Sequence, residues 1–126
     1  METMVTETQL TTLVHSFYGK VREDEVLGPV FDHAISDWPH HLGKMVDFWS
    51  SVMLSTGRYK GNPMMMHLKH VARIRSEMFD RWLGLWRETA GEVLDETGAD
   101  GVIAKAERIA ESLQLGMFFK LQPRAA

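Results

Sequence analysis

The sequence predicts an all-α domain, and three observations carry the prediction. Apolar residues recur at three- and four-residue intervals over long stretches. Capping residues, prolines and glycines punctuate those stretches. No segment shows the strict alternation of a half-buried strand.

The first stripe is Leu10, Leu13, Val14, Phe17, Tyr18 and Val21. Leu27-Gly28-Pro29 interrupts it, and Val30-Phe31 is expected to open a short helical turn reaching about Ile35. Ser36 or Asp37 caps the next helix, with Pro39 in its first turn, where the missing N–H costs nothing. Its apolar positions are Leu42, Met45, Val46, Trp49, Val52 and Met53. Residues 56–63 form a loop rich in glycine and polar side chains. A short segment from Met64 to about Val71 follows, then an irregular stretch, Ala72 to Arg75, with Ser76 as the next cap. The fourth long pattern, Phe79, Trp82, Leu83, Trp86, Ala90, Val93 and Leu94, is expected to end at Gly98. Asp100 is expected to cap a last helix that buries Val102, Ile103, Ala106, Ile109, Ala110, Leu113 and Met117. Beyond Pro123 the chain is expected to fray. Periodicity alone is equally compatible with an ordinary helical bundle.

At 126 residues the chain is read as a single domain, 1–126, long enough to bury roughly two-thirds of its unfolded surface. Its 44% hydrophobic and 25% charged residues are globular values that argue against disorder. The net charge of −3 argues against a nucleic-acid partner, which calls for a clustered basic surface. The absence of cysteine removes disulfides, thiolate–zinc sites and cysteine nucleophiles, and fits a reducing cytoplasm. The acidic N-terminus lacks a signal-peptide core, and no apolar run approaches the ~20 residues that span a bilayer. The expectation is a cytoplasmic protein with no membrane partner.

The common catalytic motifs are missing: no His-Glu-x-x-His, no glycine-rich phosphate loop, no Gly-x-Ser-x-Gly elbow. The histidines remain, at 15, 33, 40, 41, 67 and 70. His41 opens an apolar helix, one turn before Met45 and two turns before Phe48; His40 points about 100° away, toward solvent. His67 follows the proline-marked break and Met64-Met65-Met66. Two imidazoles on separate helices, with aromatics and methionines around them, can face each other across a flat apolar cofactor, which is how a haem pocket is built. On spacing alone His70, one turn further on, could serve in place of His67. Tyr18 and Trp82 lie on buried stripes, so the hydroxyl and the indole N–H each need a polar partner; for the tyrosine a backbone carbonyl is the ordinary one. The nine methionines are ordinarily adaptable core filling.

Over most of its length the chain resembles group III truncated haemoglobins, small bacterial globins. Gly61-Asn-Pro63-Met-Met-Met-His67 matches the Gly-x-Pro-x-x-x-His run that carries the iron ligand, which implies His67 rather than His70 as the metal residue. His41-Leu-Gly-Lys44 with Phe48-Trp49 matches the distal histidine pattern, and Lys44 matches the basic residue that pairs with a haem propionate. Phe17-Tyr18 resembles the pair whose hydroxyl donates to the bound ligand, and Trp82, in Phe79-Asp-Arg-Trp82, matches the tryptophan of the same polar cluster. Phe31, in Gly28-Pro-Val-Phe31, aligns with the aromatic that wedges against the porphyrin.

The resemblance implies a truncated globin fold, a two-on-two helical sandwich around haem b and its iron. It implies Tyr18, His41 and Trp82 as the residues acting on the ligand. Phe31, Lys44, Met45, Phe48, Met64, His67, Phe79 and Trp82 are the expected cofactor contacts, while Trp38 and Trp86 are assigned to packing. Val71-Ala-Arg-Ile-Arg75 departs from the family pattern in being more basic and poorer in proline; Arg73 or Arg75 is the candidate second propionate partner. The implied function is binding of O2, NO or peroxide for redox chemistry, such as nitric oxide dioxygenation or peroxidase-like turnover, with a reductase as partner. The alternatives are non-catalytic oxygen binding or sensing, and a haem-free helical module holding zinc through His40, His41, His67 and His70.

Overall fold

The computed structural model describes residues 5–118. Six α-helices and one 3-10 turn make up the described chain: α1 (Glu7–Glu23), α2 (Leu27–Ala34), α3 (Trp38–Leu54), α4 (Pro63–Lys69), the turn Val71–Arg73, α5 (Ser76–Val93) and α6 (Glu96–Phe118). Helix α1 packs on α3, α5 packs on α6, and the two pairs meet where α1 crosses α5. This is the two-on-two arrangement expected from the sequence.

Each helix start has a local cause. Thr6 caps α1 in a reciprocal box, its hydroxyl accepting from the Gln9 amide while the Gln9 side chain accepts from the Thr6 amide. Asp37 caps α3 by accepting from the His40 N–H, and Asn62 caps α4 by accepting from the Met65 N–H. Prolines follow both caps in the first turn. Helix α3 stops at Ser55, whose left-handed backbone (φ 57°) ends the hydrogen-bond ladder.

Several helix boundaries differ from those read in the sequence. Helix α2 begins at Leu27, not Val30, because the Asp24 carboxylate accepts from the Val26 and Leu27 amides at 3.0 and 2.8 Å, and Pro29 falls in the first turn. Gly28 belongs to that turn by necessity: a Cβ there would lie 2.7 Å from the Arg22 carbonyl oxygen. Helix α6 begins at Glu96, not after Asp100, because Asp95 accepts from the Gly98 amide at 2.7 Å. Gly98 is therefore inside α6, and α5 already ends at Val93. Ser76 is the first residue of α5 rather than its side-chain cap; its hydroxyl donates to Gln114 on α6. The fraying expected beyond Pro123 lies outside the described residues.

Trp86 is the centre of the core. Fully buried on α5, it stacks on Trp49 of α3 at 4.4 Å and on Trp82 at 6.0 Å, and meets Phe17 of α1 edge-on at 4.9 Å. Its indole N–H donates to the Val102 carbonyl of α6 at 3.1 Å, so one side chain touches all four long helices with its polar atom satisfied. The loop after α3 is tied down by a polar cluster: Arg58 pairs with Glu7 and Asp47 and donates to the buried Ser50 hydroxyl, which also bonds Thr56. That cluster ties the start of the α3–α4 connection to α1 and α3.

Candidate functional site: a haem pocket between the histidine helices

The predicted site residues fall into two groups. The first gathers on α1, α2 and α3. The Tyr18 ring meets His41 edge-on at 5.2 Å, Phe31 at 5.8 Å and Trp38 at 5.9 Å. Phe17 bridges this group to Trp82, at 5.0 Å from Tyr18 and 5.5 Å from Trp82. The second group gathers at α4: the His67 ring lies nearly parallel to Phe79 of α5 at 6.3 Å, and the half-buried Met64 side chain covers Gly116 of α6. Met45 is half-buried against the core, and Lys44 is exposed one turn after His41. Phe48 is half-buried, with Trp49 and Tyr59 as its ring neighbours.

Trp38 was assigned to packing in the sequence, yet its ring lies 5.6 Å from His41 as well as against Tyr18. Its indole N–H donates to Asp32 and Arg22 stacks over its face at 4.5 Å, which pins it as a wall of the first group. Its place just after the Asp37 cap gives it a fixed orientation beside His41; hydropathy alone carries no such information. Trp86 is packing, as read.

The polar atoms of the first group are short of partners. Tyr18 is buried, and neither its hydroxyl nor the Trp82 indole N–H makes a hydrogen bond among the described residues. Burial pushes the Tyr18 phenol well above its ordinary range, so it remains a protonated donor. His41 Nε2 is buried with no hydrogen-bond partner among the described residues. Burial, reinforced by the charges of Lys44 and His40, lowers the His41 pKa to about 4, so the ring is a neutral imidazole at pH 7.

His67 presents the opposite arrangement. Its Nδ1 lies 2.7 Å from the Pro63 carbonyl oxygen, a contact that places the ring proton on Nδ1 and leaves the Nε2 lone pair unused. A histidine that donates through one nitrogen to a backbone carbonyl has the tautomer and fixed orientation of an axial metal ligand. His70, its rival in the sequence, ends α4 and meets the ring of His33 at 6.2 Å. An oriented imidazole lone pair on one side and donors without partners among the described residues on the other fit a haem with a small polar ligand.

A family model described as bacterial-like globin matches residues 2–114. The chain belongs to this globin family. The Group 3 truncated hemoglobin ctb of Campylobacter jejuni is 32% identical to this globin over 120 residues, spanning 92% of the chain and 93% of the relative. The crystal structure of the group III truncated hemoglobin from Campylobacter jejuni aligns with a TM-score of 0.88 over 98% of each chain, at 32% identity. The fold is thus that of the truncated globins, and membership supports haem binding with a small diatomic such as O2 as ligand. Among the described residues no three His, Asp or Glu side chains converge on a metal site, which removes the zinc cluster of His40, His41, His67 and His70. No helix among them is long and apolar enough to cross a membrane. An open cleft of about 580 Å³ between α5 and α6, beside Glu107 and Glu111, contains none of the candidate site residues.

The buried imidazole has a consequence for acid stability. The folded protein keeps His41 neutral down to about pH 4, whereas the unfolded chain takes a proton near pH 6.5. Stability should therefore fall as pH drops from about 6.5 to about 4, by up to roughly 3 kcal/mol from this group, with no such slope above pH 6.5. His41→Leu should flatten that slope while leaving haem content near wild type and changing the ligand-binding rates. Urea midpoints of both proteins at pH 7 and pH 4.5 check this; equal slopes would show that His41 is not the titrating group.

Proposed function

We propose that this globin holds one b-type haem through His67 and uses Tyr18 and Trp82 to retain O2 for redox chemistry on nitric oxide or peroxide. The observation that carries the proposal is the pair of donors, one on the buried Tyr18 and one on the half-buried Trp82, that make no hydrogen bond among the described residues. A bound haem would supply iron that takes up a diatomic ligand and a one-electron redox couple. His67 offers it Nε2, oriented through the Pro63 carbonyl. Phe31, Met45, Phe48, Met64 and Phe79 offer apolar surface to the porphyrin. Lys44, in no ion pair among the described residues, is placed to meet a propionate at the pocket mouth. Of the two candidates for the other propionate, Arg75 already pairs with Glu77 at 3.1 Å, which favours Arg73.

The donors decide between chemistry and simple carriage. A phenol and an indole N–H aimed at an acceptor with developing negative charge strengthen its binding and slow its release. His41, neutral and enclosed by Tyr18 and Trp38, acts as a gate at the mouth rather than as a second iron ligand. The test is spectroscopic and kinetic. A Soret band in the purified protein, slow O2 release and rapid loss of NO from the oxygenated form are expected. Rapid O2 release without NO turnover would make this a non-catalytic oxygen binder, and a protein that never takes up haem would end the reading altogether.

A further inference from the structure

Between Asp47 and Glu77 the chain contains no acidic residue but five basic ones: Arg58, Lys60, Lys69, Arg73 and Arg75. In a chain of net charge −3 this is a marked segregation. Arg58 and Arg75 are paired and Arg73 is the propionate candidate, whereas Lys60 and Lys69 are exposed and form no ion pair among the described residues. The same stretch carries four of the six large exposed apolar side chains among the described residues, the other two being Leu115 and Phe118 on α6. Met65 is 58% exposed, Met66 52%, Leu68 43% and Val71 37%. Helix α4 is thus two-faced: Met64 and His67 turn inward, half-buried, and Met65, Met66, Leu68 and Lys69 turn outward.

Exposed apolar side chains interleaved with unpaired lysines in one short stretch have the composition of a small docking surface. We infer that the outer face of α4 and the following turn receives an acidic one-electron carrier, a protein with an exposed iron–sulfur cluster or flavin and a carboxylate-rich rim. The inference rests on the haem reading above. Two features favour this occupant. The basic rim complements an acidic partner and speeds its encounter with a globin whose overall charge would otherwise repel it. The surface also lies on the helix whose inner face carries His67, so a docked carrier sits about one helix diameter, ~10 Å, from the proposed iron ligand. Transient redox pairs use small interfaces, which suits a patch built on two turns of helix. The reduced carrier would lose one electron and the ferric haem would gain it, with no proton or atom transferred.

Holoprotein titrated with a purified acidic [2Fe–2S] ferredoxin, followed by fluorescence anisotropy of the labelled ferredoxin, tests the surface directly. Binding should be clear at about 10 mM salt, where the Debye length is ~30 Å, and largely lost near 1 M, where it is ~3 Å. K60E/K69E should weaken the low-salt affinity at least tenfold. K105E/R108E, the same charge change on exposed residues of α6, should stay within about threefold of wild type. M66S/L68S should weaken binding without changing its salt dependence. Equal losses for the two charge-reversal variants would reduce the effect to net charge and overturn the inference, as would absence of binding at low salt. Vesicles containing phosphatidylserine serve as the comparison: binding to them and not to ferredoxin would assign the face to an anionic membrane surface instead. The Soret absorbance of each sample reports haem content separately, so failure of the docking surface cannot be confused with failure of the haem site.

Discussion

Protein carrying His67→Ala is expected to purify largely free of haem, while His70→Ala retains it. The difference follows from how each ring is held. The Pro63 carbonyl, 2.7 Å from Nδ1, orients His67 and leaves Nε2 as its only free donor atom. His70 ends the helix against His33 and has no such backbone anchor for its ring. Loss of an orienting partner alone commonly lowers metal affinity by about 10–100-fold, and loss of the ligand itself should exceed that. Since bound cofactor stabilises the folded state in proportion to the logarithm of its affinity, a hundredfold loss removes about 2.7 kcal/mol under saturating conditions. The variant should melt earlier than wild-type holoprotein and close to wild-type apoprotein. Added imidazole should restore a Soret band, which separates a missing ligand from a misfolded chain. A red His67→Ala beside a colourless His70→Ala would reverse the ligand assignment.

The second large effect is expected at the donors. Tyr18→Phe and Trp82→Phe should each accelerate O2 release by about one to two orders of magnitude, as stopped-flow mixing would record. A hydrogen bond to a charged acceptor contributes roughly 1.5–3 kcal/mol net, and each 1.4 kcal/mol is a factor of ten. Neither substitution removes much apolar contact: Tyr18→Phe keeps the ring against His41, Phe31 and Trp38, and Trp82 is only half-buried. If the two donors serve one acceptor as proposed, the double variant should be non-additive, and their link through Phe17 adds to the coupling. Unchanged release in both single variants would mean that the pocket does not polarise its ligand.

Legibility in the sequence followed the range of the interactions. The α1 stripe from Leu10 to Val21 is buried as read, because a helix buried along one face repeats its pattern every turn. The α3 start was legible because Asp37 and Pro39 act within three residues of each other. The starts of α2 and α6 were not. At both, an aspartate caps from beyond the apolar run, and a glycine or proline that ordinarily breaks a helix sits inside the first turn. At the candidate site the motifs named Tyr18, His41, His67 and Trp82, but Trp38 escaped notice: its role depends on meeting two rings from other turns and helices. The Arg58 cluster escaped for the same reason, since Glu7 lies 51 positions away.

Trp82 and Trp86 occupy successive turns of α5, and their division of labour bears on how such a protein can change over generations. Trp86 anchors the four long helices and leaves little latitude for replacement. Trp82, one turn away, is half-buried, and its outer side faces the pocket wall formed with Phe17. On the proposed reading of Trp82 as a ligand donor, a descendant can exchange that residue by a single substitution without renegotiating the core. Preference among gases then becomes a trait that drifts independently of the fold, explored one codon at a time.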